Sequence, residues 1–256
     1  MGKVTTVMEG KYIYCIIEPK GKEERFGPLG IGGRGDELYA IRFDDIAAVV
    51  SDAPIKKYSV ARENLIPHEQ AVEAVMKSYT VLPVRFATIA ENEEKVKRIL
   101  EKEHRRFVDL LNYLEGKKEL GLKAVFKEDV VYKEILANYD EIRMGKERII
   151  KGQAKEFGLV AIGRQVEAAL EQEKKKYVEY ILGFLTPLAV EFKLNNTYGE
   201  RMIVNAAFLV EETKEAPFDQ KVNEMVSKHG DKINFKYVGT VPPFNFVNIE
   251  INTEDY

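Results

Sequence analysis

Glu119-Leu-Gly-Leu-Lys-Ala-Val-Phe126, followed by Asp129-Val-Val-Tyr132, is the stretch around which the rest of the chain organises. The first segment reads as a strand. Asp129 then caps a helix whose apolar side carries Val131, Tyr132, Ile135, Leu136 and Tyr139. Downstream, Arg143 to Gly152 is charged and reads as a bend or loop. A long helix follows, carrying Val166, Leu170, Tyr177, Ile181 and Phe184, until Pro187 stops it. Strands are expected at Leu188 to Leu194 and Arg201 to Glu211, joined by the turn-rich Asn195-Asn-Thr-Tyr-Gly199. Pro217 opens a helix bearing Phe218, Val222, Met225 and Val226, and Gly230 closes it. A last strand, Lys232 to Val241, ends at Pro242-Pro243. This order is β-α-β-β-α-β, a ferredoxin-like arrangement with an enlarged first helical segment.

Upstream, Lys11 to Glu18 reads as a strand, and Pro19 to Gly35 as a loop rich in glycine and charge. Leu38-Tyr-Ala-Ile-Arg-Phe43 and Ile46-Ala-Ala-Val-Val-Ser51 flank Asp44-Asp45, the signature of a hairpin. Pro67 suits a helix start, with Val72, Val75, Met76 and Tyr79 on one face. Val81 to Thr88 reads as a strand that Pro83 confines to an edge, a strand start or a bulge. Asn92 can cap the next helix, whose apolar stripe runs from Val96 through Leu114, and Gly116 is placed to end it in the left-handed conformation. The expectation is an α+β protein of two domains: an N-terminal α+β unit, residues 1–116, and a C-terminal modified ferredoxin-like domain, residues 117–256.

Composition narrows the function classes. The 39 basic and 42 acidic residues are interspersed and leave a net charge of −3, which supplies no footprint for nucleic acid. Cys15 is the only cysteine, so no intramolecular disulfide can form; within Tyr12-Ile-Tyr-Cys-Ile-Ile17 it reads as a buried structural thiol. There is no signal-peptide pattern and no run of the ~18 apolar residues that a bilayer span needs. A cytoplasmic protein without a lipid-membrane partner is therefore expected, and the sequon at Asn195 reads as a turn.

Motifs for chemistry fail on inspection. Gly30-Ile-Gly-Gly-Arg-Gly35 matches G-x-G-x-x-G by letter, but a strand-like segment follows it where phosphate binding needs a helix. His68-Glu69 opens like H-E-x-x-H, yet Val72 occupies the second ligand position. His68 reads instead as a surface or hydrogen-bonding residue, His104 as a packing residue beside an apolar stripe, and His229 as a partner of a helix C-terminus. Three scattered histidines make a His/Cys metal cluster improbable, although convergence in space or a carboxylate site stays open. No catalytic, cofactor or metal site is expected. Arg85 interrupts an apolar strand, and a buried structural ion pair with Glu119 is expected for it.

Several segments together resemble the gas vesicle protein F/L family (GvpF/GvpL). They are Tyr12-Ile-Tyr-Cys-Ile-Ile17, Ile46-Ala-Ala-Val-Val-Ser51, Asn64-Leu-Ile-Pro-His-Glu69, Val81-Leu-Pro-Val-Arg-Phe-Ala-Thr88, Leu114-Glu-Gly-Lys-Lys-Glu-Leu-Gly121, Asn205-Ala-Ala-Phe-Leu-Val210 and Gly239-Thr-Val-Pro-Pro-Phe-Asn-Phe-Val247. Ala87 stands where the family run has Gly, and Phe244 where Tyr is common. The resemblance implies a non-enzymatic accessory or minor structural protein of gas vesicle assembly, located at the vesicle. It implies binding to the small shell protein GvpA, limiting its aggregation during nucleation, and contacts with other minor gas vesicle proteins. Pro242, Pro243, Phe244 and Phe246 are the candidate partner contact, and packing back onto the sheet is the competing reading for them. A ferredoxin-like regulatory or small-ligand-binding module without catalysis is the alternative function.

Overall fold

The computed structural model describes residues 8–21, 24–152 and 156–255. Among these the chain is mixed α+β, with its strands in two separate sheets. In chain order the elements of the first sheet and its helices are β1 (Glu9–Ile17), β2 (Arg25–Gly27), β3 (Leu38–Phe43), β4 (Ile46–Pro54), α1 (Arg62–Met76), β5 (Val81–Pro83), β6 (Ile89–Ala90) and α2 (Glu93–Leu114). The second sheet and its helices are β7 (Lys117–Phe126), α3 (Glu128–Asn138), α4 (Asp140–Ile150), α5 (Glu156–Leu185), β8 (Glu191–Leu194), β9 (Met202–Glu211), α6 (Glu212–His229) and β10 (Ile233–Val241).

The chain forms two compact units, one of Met1–Lys118 with Thr240–Tyr256, the other of Glu119–Gly239. The first has strand order β2-β3-β4-β1-β5, with β6 also on β1. The β3–β4 hairpin pairs Phe43 with Ile46 across Asp44-Asp45. Asp44 takes a positive φ of 54°, a conformation that Asp tolerates better than most residues. In α2 the Asn92 side chain accepts from the Lys95 N–H at 2.9 Å, and Gly116 beyond its end has φ 66°. Tyr12, Tyr14, Cys15 and Val49 share one buried cluster with Val72 and Val75 of α1. Helix α2 packs against β1, β3 and β4, and Ile16, Ala48 and Val50 are also fully buried. Both faces of the central strands are therefore covered, which explains their continuous apolar runs.

The second unit has strand order β10-β7-β9-β8. Its core joins Leu120, Leu122 and Phe126 of β7, Phe208 of β9 and Phe218 of α6, with the last two rings 5.2 Å apart.

Four expectations change. Pro67 and Pro217 lie inside α1 and α6, five positions after each start; there the missing N–H removes a bond to the first turn only. Arg143 to Gly152 is not a loop, because α4 covers most of it. The strand expected over Val81 to Thr88 breaks into β5, a turn and β6, since Ala87 adopts φ 65°. The C-terminal segment from Thr240 onward, expected in the second domain, belongs to the first unit. Val84 bridges Ile249 in parallel, and the Arg85 N–H donates to the Ile249 carbonyl at 3.0 Å.

Candidate functional site

The Pro242-Pro-Phe-Asn-Phe246 segment sits on an aromatic box built from residues distant in sequence. A bulge in β1 helps to make the box. Pairing with β4 steps from Ile13–Val50 to Cys15–Val49, leaving Tyr14 as the extra residue. Side chains on either side of the bulge therefore no longer alternate simply. Tyr12, Tyr14, Cys15 and Ile17 all join one cluster. His68, from the middle of α1, is 2% exposed and enters that cluster's edge. Its ring stacks on Tyr14 at 5.7 Å and meets Tyr12 at 5.8 Å, Phe86 at 5.6 Å and Phe244 at 6.2 Å.

A hydrogen-bond chain fixes the box. The Ala87 N–H donates to the Tyr12 hydroxyl at 2.8 Å, leaving the phenol proton for His68 Nδ1 at 3.2 Å. The network thus assigns the neutral Nε2–H tautomer to His68. The Ile31 N–H donates to the Tyr14 hydroxyl at 2.7 Å, and Ser51 Oγ lies 2.9 Å from it. This ties the glycine-rich loop to the core through Ile31, which is fully buried, while Gly32 to Gly35 are exposed. Burial pushes the Tyr12 phenol up, and the Tyr14 phenol up to about 12. Burial pushes His68 down to about 4, and the Val84 carbonyl acts in the opposite direction. That carbonyl falls short of hydrogen-bond geometry, since His68 Nε2 has no hydrogen-bond partner among the described residues. His68 is thus a neutral, buried hydrogen-bonding residue, and the surface reading of it is corrected. Cys15 is buried and its thiol is pushed up by desolvation, which removes thiolate chemistry from it.

At the rim, Pro242 and Pro243 are buried while Phe244 is 39% exposed. The Phe244 N–H donates to the Pro242 carbonyl at 2.7 Å, and the Phe246 and Val247 N–H groups both donate to the Pro243 carbonyl. The segment is a tight turn presenting one aromatic ring outward. Phe246 and Val247 line a groove of about 600 Å³ with Lys102, Arg105, Arg106 and Leu110 of α2. Its prolines pack back onto the fold, and its first phenylalanine is partly exposed.

The Arg85–Glu119 pair is corrected. Arg85 Nη1 lies 3.2 Å from Glu250 Oε1, with side chains 65% and 57% exposed. Arg85 follows β5 in the turn toward Ala87, so its side chain leaves the sheet. Glu119 is buried on β7 of the other unit.

Among the described residues, Asp44, Asp45 and His104 bring donor atoms within 4.8 Å of one another. His104 Nε2 lies 2.6 Å from Asp45 Oδ1 and 3.9 Å from Asp44 Oδ2. His104 is therefore a pairing residue as well as a packing one. Both carboxylates are exposed. His229 lies in the last turn of α6, as expected. Its ring lies among the edges of Tyr177 and Tyr180, and burial, then Lys228 and Lys232, lower its pKa.

Known proteins resemble this chain over most of its length. The family model described as "Gas vesicle synthesis protein GvpL/GvpF" matches residues 10–248. Gas vesicle protein F of Nostoc sp. is 26% identical over 245 residues, 94% of this chain and 98% of that protein. Gas vesicle protein L of Streptomyces sp. is 29% identical over 125 residues, 44% of this chain and 46% of that protein. The crystal structure of GvpF from Anabaena sp. superposes with a TM-score of 0.80 at 26% identity, covering 95% of this chain and 100% of that one.

Proposed function

The chain belongs to the gas vesicle synthesis protein GvpL/GvpF family, and from that premise we propose that it binds the small shell protein GvpA and limits its aggregation while vesicles nucleate. Family membership makes it a gas vesicle associated protein. A shell subunit that assembles into ribs exposes apolar or strand-edge surface beforehand, and a partner that covers this surface keeps it dispersed. We place the protein in the cytoplasm at the growing vesicle, without catalytic or cofactor chemistry. We read the second unit as ferredoxin-like, a reading that its strand order β10-β7-β9-β8 supports.

The observation that carries the contact is Phe244, held 39% exposed on a turn whose two prolines are buried. An aromatic ring already fixed at the surface loses little freedom on binding, which is what an interface anchor needs. Phe246, beside the α2 groove, extends the same surface. The test is a titration of purified shell protein against the full chain and its Phe244→Ala and Phe246→Ala variants. Light scattering follows shell-protein aggregation, and thermal melts of each variant run alongside. Folded Phe244→Ala protein should bind at least tenfold more weakly, matching a hot-spot loss of about 1.4 kcal/mol or more. Unchanged binding by folded variants removes this segment from the interface. No binding by the intact protein removes the shell protein as partner.

A further inference from the structure

Among the described residues, strand β8 ends the four-stranded sheet, so one of its sides has no strand partner there. Edge strands normally carry short runs and charge there. This one is four residues long and carries Glu191 and Lys193, yet it also exposes Phe192 and Leu194 at 41% and 55%. Residues two apart on a strand share a face, and the Phe192 ring stacks on Phe208 at 6.3 Å, which identifies that face as the core-bearing one. The apolar face of the sheet therefore stays partly exposed out to its rim.

The backbone of the same strand is directed outward at defined positions. The Asn195 N–H donates to the Asn205 carbonyl at 2.7 Å. The register continues through Lys193–Ala207 and Glu191–Leu209. Bonded and non-bonded pairs alternate along an antiparallel ladder, so Glu191 and Lys193 turn their backbone groups toward β9. Phe192 and Leu194 turn theirs away from it. An edge with outward N–H and C=O groups and apolar side chains is a template for another strand.

The side-chain order says which strand. Val190-Glu-Phe-Lys-Leu194 is charge-complementary to its own reverse about Phe192. In an antiparallel pairing of two copies centred there, Glu191 of each lies opposite Lys193 of the other. Phe192 meets Phe192. The outward N–H and C=O of Phe192 pair reciprocally with the same groups of the second copy. Glu191 and Lys193 already interact within the chain, and this pairing adds a contact to each. We infer that the β8 edge is a self-association site at which two copies of this chain join their second-unit sheets across a two-fold axis. A shared two-fold edge is closed, so association stops at the dimer instead of growing into fibres.

Sedimentation equilibrium of the full chain alone, from about 1 μM to about 1 mM, tests this over the span of ordinary protein affinities. A monomer–dimer equilibrium is expected. Lys193→Glu sets Glu opposite Glu at both symmetric positions and should raise the dimer Kd about tenfold. The double change Glu191→Lys with Lys193→Glu reverses both charges, keeps the self-complementarity and should restore the Kd. Circular dichroism melts report whether each variant is folded. A monomer throughout the concentration range overturns the inference, and so does a dimer indifferent to Lys193→Glu. A chain that never dimerises, yet loses shell-protein binding on Lys193→Glu, assigns the edge to the shell protein and equally overturns self-association. The shell protein is absent from the primary assay, so its outcome is independent of the proposed function.

Discussion

Acidification should weaken the first unit through His68, and by an amount that can be isolated. The groups facing His68 are the rings of Tyr12 and Tyr14 on β1, Phe86 in the turn after β5, Phe244 in the C-terminal segment, and the Val84 carbonyl. Burial lowers its pKa from 6.5 to about 4. Between those values the unfolded chain binds a proton that the folded chain refuses, so stability falls as pH falls. Above pH 6.5 neither state is protonated and His68 makes no pH-dependent contribution. Each pH unit inside the window removes about 1.4 kcal/mol, about 2 kcal/mol by pH 5 and about 3 kcal/mol once pH 4 is reached. Carboxylates titrate in the same range, so the comparison must be with a chain lacking only this group. His68→Gln retains an acceptor for the Tyr12 hydroxyl and does not titrate. Urea unfolding of both proteins, followed by tyrosine fluorescence at a series of pH values from about 7 to about 4.5, gives two stability curves. The wild-type curve should fall more steeply, with the difference opening below pH 6.5. An NMR titration of the His68 ring provides the second readout and should show it neutral at about pH 5.5. Parallel curves, or a ring that titrates near 6.5, would refute the claim that His68 is buried without a compensating charge.

Three further outcomes follow from local geometry. Ala87→Gly should stabilise the protein by about 0.5–1 kcal/mol in urea denaturation, because Ala87 sits at φ 65° where a Cβ is strained, while the gain is reduced by the greater freedom of unfolded glycine; a loss of stability would show that the turn is unstrained. Asn92→Ala should cost about 1 kcal/mol in the same assay, since it removes the acceptor for the Lys95 N–H at the start of α2. Arg85→Ala should change stability by no more than about 0.5 kcal/mol, as expected for an exposed pair with Glu250, and a loss of several kcal/mol would restore the buried-pair reading.

The sequence by itself determined the local devices: the two-residue Asp44-Asp45 hairpin, the Asn92 cap, the left-handed Gly116, and the apolar faces of α2 and α6. These depend on neighbours within a turn or two, so spacing encodes them. It also carried the family resemblance, because short segments in a fixed order suffice for that. It even marked Ala87 as an exception, whose meaning appeared only with the positive φ. Prolines misled at Pro67 and Pro217, since tertiary packing holds helices that begin before them. The tertiary structure alone decided the site. His68 looks like an exposed first-turn residue until Tyr12, Phe86 and Phe244 close around it. Arg85 looks buried until the chain turns at Ala87 and brings Glu250 alongside. The C-terminal segment looks continuous with β10 until Ile249 pairs with Val84. Each of these joins positions far apart in the chain, and no periodicity within one segment records which distant surface it will meet. Side-chain patterns specify a face, whereas its partner is selected by the free energy of packing the whole chain.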